Sequence, residues 1–193
     1  MFIGKYNKSV ILTYMGAVIS IIGMYFAIKK DFDLTMICMI VAGICDLFDG
    51  KVANMCKRNE EEKAFGVQID SLVDVVSFLV FPTIFLYSFD SRFLIVGAAF
   101  ILAGIIRLAY FNVHKEEMGV YFKGLPVTYI ALIIPLYYLI AKFMTVLNGY
   151  YAIVYILVGL AYILKVNVKK PTGLWYGFFT LLAIAVIVGL VVL

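Results

Sequence analysis

The 193-residue chain is 65% hydrophobic with a mean hydropathy of +1.05, whereas soluble domains run at roughly 45–50% apolar. Sixteen Lys and Arg against twelve Asp and Glu leave a net charge of +4, too little charge to solvate so much apolar surface, so a soluble domain is excluded. Apolar runs bounded by charge clusters predict seven membrane helices at about 9–28, 34–56, 64–88, 92–113, 125–147, 149–165 and 172–193. The first run lacks a small-residue cleavage site and is followed at once by further spans, so it reads as a membrane helix and not a removable signal. Connections are short and no repeat or low-complexity tract interrupts them. The expectation is an all-α, polytopic helical bundle of about six to eight spans, one domain over 1–193. Cys38, Cys45 and Cys56 are odd in number and lack metal-ligand spacing, so they read as small apolar residues.

The basic residues set the expected orientation. With the N-terminus inside, one rim holds Lys5, Lys8, Lys57, Arg58, Lys63, Lys115, Lys123, Lys165, Lys169 and Lys170, and the other only Lys29, Lys30 and Arg92. Cytoplasmic loops are enriched in Lys and Arg, which puts the richer rim in the cytoplasm and the chain in the cell membrane. The net positive charge then belongs to a rim facing anionic lipid heads, and no nucleic-acid partner is expected.

Most acidic residues fall in the connections: Asp31, Asp33, Glu60, Glu61, Glu62, Asp90, Glu116 and Glu117. Asp46, Asp49, Asp70 and Asp74 instead interrupt apolar helices, where an ionised carboxylate costs several kcal/mol unless it is paired or faces a wet cavity. Asp46 and Asp49 are three apart and Asp70 and Asp74 four apart, so each pair shares a helix face. At about 1.5 Å rise per residue, all four stand at a common depth of roughly 10–15 Å below the cytoplasmic rim if the two helices are antiparallel neighbours.

Four carboxylates at one depth in a low dielectric need compensating positive charge, and Lys51 and Arg107 are the only bases near that level. An all-oxygen ligand set without His or Cys selects hard divalent ions, so Mg²⁺ or Mn²⁺ is expected, with ligands enough for two ions. Two ions held this way suit phosphoryl transfer. Ala42, Gly50 and Ala53 share the face of the first pair, and Gly66 and Ser77 that of the second; such small residues permit close helix packing or a ligand close to the backbone. A transporter that relays protons or cations through these carboxylates is the alternative of a different class, but it predicts inverted repeats and broken midplane helices that the sequence does not show.

The run Asp46-x-x-Asp49-Gly50-x-x-Ala53 followed by Gly66-x-x-x-Asp70-x-x-x-Asp74 resembles the signature of the CDP-alcohol phosphatidyltransferase family. Members are membrane enzymes that cleave a CDP-linked lipid or alcohol at its diphosphate and pass the phosphatidyl group to a hydroxyl, releasing CMP. The stretches from Ile69 to Phe78, Arg107 to Val113 and Phe122 to Pro126 are similar to the phosphatidylserine synthase branch, whose members use CDP-diacylglycerol and L-serine. The resemblance implies that Asp46, Asp49, Asp70 and Asp74 hold the metal ions and that Asp74 is also the general base. It further implies a nucleotide side lined by Asp46, Asp49, Gly50, Ala53, Asn54, Gly66 and Asp70, and a homodimer.

Serine is a zwitterion, so its pocket needs a donor fork for the carboxylate, and the intramembrane Arg107 suits that geometry. Asn112, Lys123 and Ser77 are further acceptor-side candidates, whereas His114 reads as a solvated helix-end residue. Three features depart from the family pattern. Asn54 stands where the family carries Arg, with Lys51, Lys57 or Arg58 as substitutes; the eleven residues from Met55 to Phe65 exceed the usual spacing; and Tyr110 replaces a second Arg. An acceptor phosphate, as in glycerol 3-phosphate or an inositol phosphate, remains the alternative within the same chemistry.

Overall fold

The computed structural model describes residues 4, 7–114, 121–169 and 173–193; Lys5, Lys115, Glu116, Glu117 and Lys170 lie outside the described residues. Short polar signals set the helix ends. Asn7 accepts from the Ser9 amide (3.0 Å) and opens a 3₁₀ turn that leads into α1 (Ile11–Ile28). Asp31 accepts from the Leu34 amide (3.2 Å) and caps α2 (Phe32–Met55). Asn59 and Glu62 form a reciprocal capping box at the start of α3 (Glu60–Asp74). This start is a correction to the expected boundary at Ala64. The cap recruits the charged residues 60–63 into the first helical turn, so the connection between the two acidic helices shrinks to residues 56–59 and the extra length becomes helix.

The third span is continuous but not uniform. A wide π-helical segment over Val75–Val80 follows α3 directly, and α4 (Phe81–Phe89) completes the crossing. Next come α5 (Leu94–His114), α6 (Ile130–Phe143), α7 (Tyr151–Ile163) and α8 (Leu174–Val192). A helix therefore stands at each of the seven expected positions, in an all-α bundle as composition required. Five helical stretches are long and apolar enough to cross a bilayer, from Lys8–Ile28 to Leu174–Val192, and Val127–Phe143 is a shorter apolar one. At 24 residues α2 is also long enough, but it carries Asp33, Asp46, Asp49 and Lys51.

The sequence gives no strand signal, yet Tyr121–Lys123 (β1) and Asn167–Lys169 (β2) pair antiparallel, with Phe122 opposite Val168. Three residues are too few for a period of two to register, and the pairing satisfies backbone groups of two connections that emerge at the same end of the bundle.

The α3–α4 span is the central one: Phe78, Leu79, Phe81, Phe85 and Leu86 are fully buried between α1, α2, α5 and α6. The helices α1, α5, α7 and α8 turn large apolar side chains outward, among them Ile21, Ile95, Leu157 and Leu181. That outward band has lipid as its solvent. Gly23 lets α1 approach the centre, because a Cβ there would collide with the Phe81 ring.

Candidate active site

Two helices deliver the acids. Asp46 and Asp49 lie on α2 and Asp70 and Asp74 on α3, and the antiparallel course of the two helices sets Asp46 against Asp74 and Asp49 against Asp70, each within hydrogen-bond reach. Asp46, Asp49 and Asp70 offer carboxylate oxygens that all lie within 4.8 Å of one another. Asp49 is buried and the other three are half-buried. A cluster of hard oxygen donors at this spacing can hold a divalent ion such as Mg²⁺ or Mn²⁺, and the charge it concentrates calls for one.

A third helix takes part that the sequence pattern does not announce. Thr13 on α1 donates its hydroxyl to Asp49 Oδ2 at 2.8 Å, and the pair is buried. Further along the same helix, Ser20 donates to the Gly16 carbonyl oxygen (2.9 Å) and stands 2.8 Å from the Ser77 hydroxyl on the π segment. Polar residues seven apart on one face of an apolar helix are the signal that could have found them.

All four acids line a cavity of about 430 Å³. Its charged wall also includes Gly50, Asn54 and Arg107, and a Cβ on Gly50 would meet nothing within 4 Å, so the backbone is bare toward open space. Away from the acids the cavity becomes an apolar groove between α2, α6 and α8, walled by Ile40, Ile44, Leu47, Leu132, Phe179 and Ala183. Lys51 closes one edge of this groove, its ammonium 3.4 Å from the ring centroid of Tyr176 on α8 and 5.2 Å from that of Phe48.

Arg107 is 6% exposed, lines the same cavity, and lies close enough to Asp74 to feel its charge. Its guanidinium carbon is 5.0 Å from the Phe111 ring centroid and 5.6 Å from that of Phe122. The Nε has no hydrogen-bond partner among the described residues.

The remaining candidates fall elsewhere. Ala53 and Gly66 are not among the residues lining the cavity; a Cβ on Gly66 would face Val10 and Arg58. Ser77 is buried beside Ser20, Asn112 donates to Ser71 Oγ at 2.9 Å, and Lys123 is exposed on the outer face of β1; none of these three lines the cavity. His114 sits at the last turn of α5, stacked on Tyr110 at 4.2 Å. Asn54 accepts from Arg58 Nη2 at 3.3 Å, so the cation missing from position 54 is tethered to it from the connection that follows α2.

Comparison with known proteins agrees with this arrangement. The CDP-alcohol phosphatidyltransferase sequence model matches residues 6–191. The chain is 35% identical over 133 residues to archaetidylserine synthase of Methanothermobacter thermautotrophicus, covering 67% of this chain and 56% of that protein. It is 30% identical over 124 residues to CDP-diacylglycerol–serine O-phosphatidyltransferase of Helicobacter pylori strain J99, covering 61% of this chain and 51% of that one. A protein of the latter name from Methanocaldococcus jannaschii is 31% identical over 175 residues, 88% of this chain and 79% of its own length. The chain thus spans about half the length of the first two of these relatives. A family match over nearly every residue, joined to four carboxylates converging on one cavity, means that the chain belongs to the CDP-alcohol phosphatidyltransferase family.

Proposed function

We propose that the protein transfers a phosphatidyl group from CDP-diacylglycerol to the hydroxyl of L-serine, giving phosphatidylserine and CMP, at a site that opens toward the cytoplasm of a plasma-membrane protein. The observation that carries this reading is the shape of the cavity: a wall of four carboxylates continuous with an apolar groove, and a buried guanidinium beside Asp74. The charged wall suits a metal-bound diphosphate, the groove suits acyl chains, and the guanidinium suits a small carboxylate. The names of the relatives agree in the acceptor.

In this reading Asp46, Asp49 and Asp70 hold the divalent ions, Mg²⁺ or Mn²⁺ and two in number, with Asp74 completing the set. The bound metal supplies neutralisation of the charge on the diphosphate. Asp49, Gly50 and Asn54 border the nucleotide, with Ala53 and Gly66 behind them. Thr13 fixes the carboxylate plane of Asp49, as outer hydrogen bonds do for metal ligands. Arg107 orients serine by its carboxylate, and Asn112, Lys123 and Ser77 contribute to the acceptor side only through the surrounding structure.

Asp74 takes the proton from the serine hydroxyl as its oxygen attacks the phosphorus that bears the lipid. The new bond joins that oxygen to phosphorus; the bond from phosphorus to the bridging oxygen breaks, and CMP leaves with the electron pair. The whole chain is one catalytic unit, and its outward apolar faces serve lipid contact and a homodimer.

The test is CMP release by purified protein in detergent with CDP-diacylglycerol and Mn²⁺ or Mg²⁺, comparing L-serine, glycerol 3-phosphate, inositol 3-phosphate and no acceptor. Serine-dependent release is expected. Release dependent on a phosphate-bearing acceptor would keep the reaction class and overturn the acceptor, and no release with any acceptor would overturn the enzyme reading.

A further inference from the structure

We propose that Phe122 is a positioning residue for the acceptor, restraining the Arg107 guanidinium, and that the two-stranded ribbon makes acceptor affinity depend on the connection between α7 and α8. The inference rests on the reading of Arg107 as the carboxylate-binding group.

Arg107 is buried at the cavity wall with two aromatic neighbours. Phe111 is one turn further along the same helix, so α5 supplies that contact by itself. Phe122 is different: it arrives from β1, its ring 5.6 Å from that of Phe111 at an interplanar angle of 61°, and it lines the same cavity. The three distances, 5.0, 5.6 and 5.6 Å, form a near-equilateral triangle, so the two rings bear on Arg107 together from one side, restrain the swing of its guanidinium and leave its N–H groups to donate away from them. A carboxylate in the cavity is then met by a restrained donor fork, which a freely rotating side chain would not offer.

The position of Phe122 is fixed from outside its own helix pair. It faces inward while Tyr121 and Lys123 face out, and Val168, directly across the ribbon, has the same inward register. Gly124 follows at φ +78°, and its amide donates to the Val166 carbonyl at 2.8 Å. A Cβ on Gly124 would collide with the Tyr162 carbonyl oxygen, and the Leu125 amide donates to the Ala161 carbonyl at 2.9 Å. The segment that carries Phe122 is therefore docked on the end of α7, far in sequence from every carboxylate of the site. Family resemblance in the stretch from Phe122 to Pro126 thereby acquires a physical account: ring, left-handed glycine and turn are one device.

The experiment is steady-state kinetics in the purified full chain with CDP-diacylglycerol, varying L-serine at fixed donor and the reverse, for Phe122→Leu, Phe122→Tyr, Val168→Ala and Arg107→Gln. Phe122→Leu is expected to raise the KM for serine about fivefold, with the donor KM and the kcat at saturating serine within about twofold of the parent. Phe122→Tyr keeps a ring and is expected to restore the parental serine KM. Val168→Ala, a milder change across the ribbon, is expected to raise serine KM in the same direction by a smaller factor, and it stands in if Phe122→Leu does not yield folded protein. An unchanged serine KM in both Phe122→Leu and Val168→Ala, or a parallel loss in kcat and both KM values, overturns the inference. Arg107→Gln separates the two layers: if it leaves the serine KM unchanged, the reading of Arg107 itself fails.

Discussion

The two ends of this bundle solve the same problem of charge in an apolar medium in opposite ways. At the end where α1 meets α2 and α4 meets α5, Asp33 is answered at once by Lys142 on α6, at 2.8 Å. The space beside the pair is filled by rings, with Phe85, Phe89, Tyr137 and Tyr151 packed at centroid distances of 4.5–6.0 Å. At the other end, some 20 Å along α2 at about 1.5 Å per residue, four carboxylates gather on a cavity whose nearest cations, Lys51 and Arg107, rest against aromatic rings. The first end answers its charge with a counter-charge and fills its space with rings. The second is built around charge and space that only a ligand completes, which is the ordinary mark of a functional site in a membrane protein.

The contrast is broken most severely at the acids. Asp46→Asn or Asp70→Asn is expected to abolish turnover by about a thousandfold or more and to remove Mn²⁺ binding, as read by CMP release and by the electron paramagnetic resonance of free Mn²⁺. Asp74→Asn is expected to lose turnover by about 10²- to 10⁴-fold while Mn²⁺ still binds, because Asp46, Asp49 and Asp70 remain. Normal turnover in that variant would take the base role away from Asp74.

A smaller effect is expected one layer out, where Thr13→Val removes the hydroxyl that Asp49 accepts and should weaken Mn²⁺ affinity by about tenfold with the fold intact. An unchanged Mn²⁺ affinity would reduce Thr13 to packing. At the opposite end the prediction inverts. Lys142→Met removes the ion-pair partner of the half-exposed Asp33, and thermal unfolding in detergent should show a loss of about 1 kcal/mol with kcat and both KM values unchanged. The least consequential change is Tyr151→Phe. The buried Tyr151 hydroxyl has no partner among the described residues, so removing it should leave activity unchanged and the unfolding midpoint equal or slightly higher, by about 1 kcal/mol at most.

Spans and acids were legible because each carries its own signal: some twenty apolar residues for a crossing, and carboxylates where none should be. The common depth of Asp46, Asp49, Asp70 and Asp74 followed from spacing and the antiparallel neighbour rule alone. What stayed hidden depends on contacts between segments far apart in the chain. Thr13 lies 36 residues from Asp49, and a lone Thr in an apolar helix has many possible partners. Phe122 looks like any aromatic near a membrane interface until β2 pins it. The start of α3 was misplaced for a local reason, since the charge-rich run from Glu60 to Lys63 reads as solvated loop, while the Asn59 cap and Glu62 make it helix.

The π-helical turn after Asp74 has a consequence for how this span can change over generations. A regular helix advances about 100° per residue, and a wide turn accommodates one residue more than that spacing allows. The acids before Val75 and the buried rings after Val80 are thus two separately indexed faces on one rod, joined by a spare residue. Removing a single residue within Val75–Val80 would let the wide turn close to a regular one, with Phe81 and Phe85 keeping their angular relation to Asp70 and Asp74. A one-residue gap in this window should therefore be tolerated far better than a gap in the regular helix on either side, where every following side chain would swing by about 100° relative to the acids.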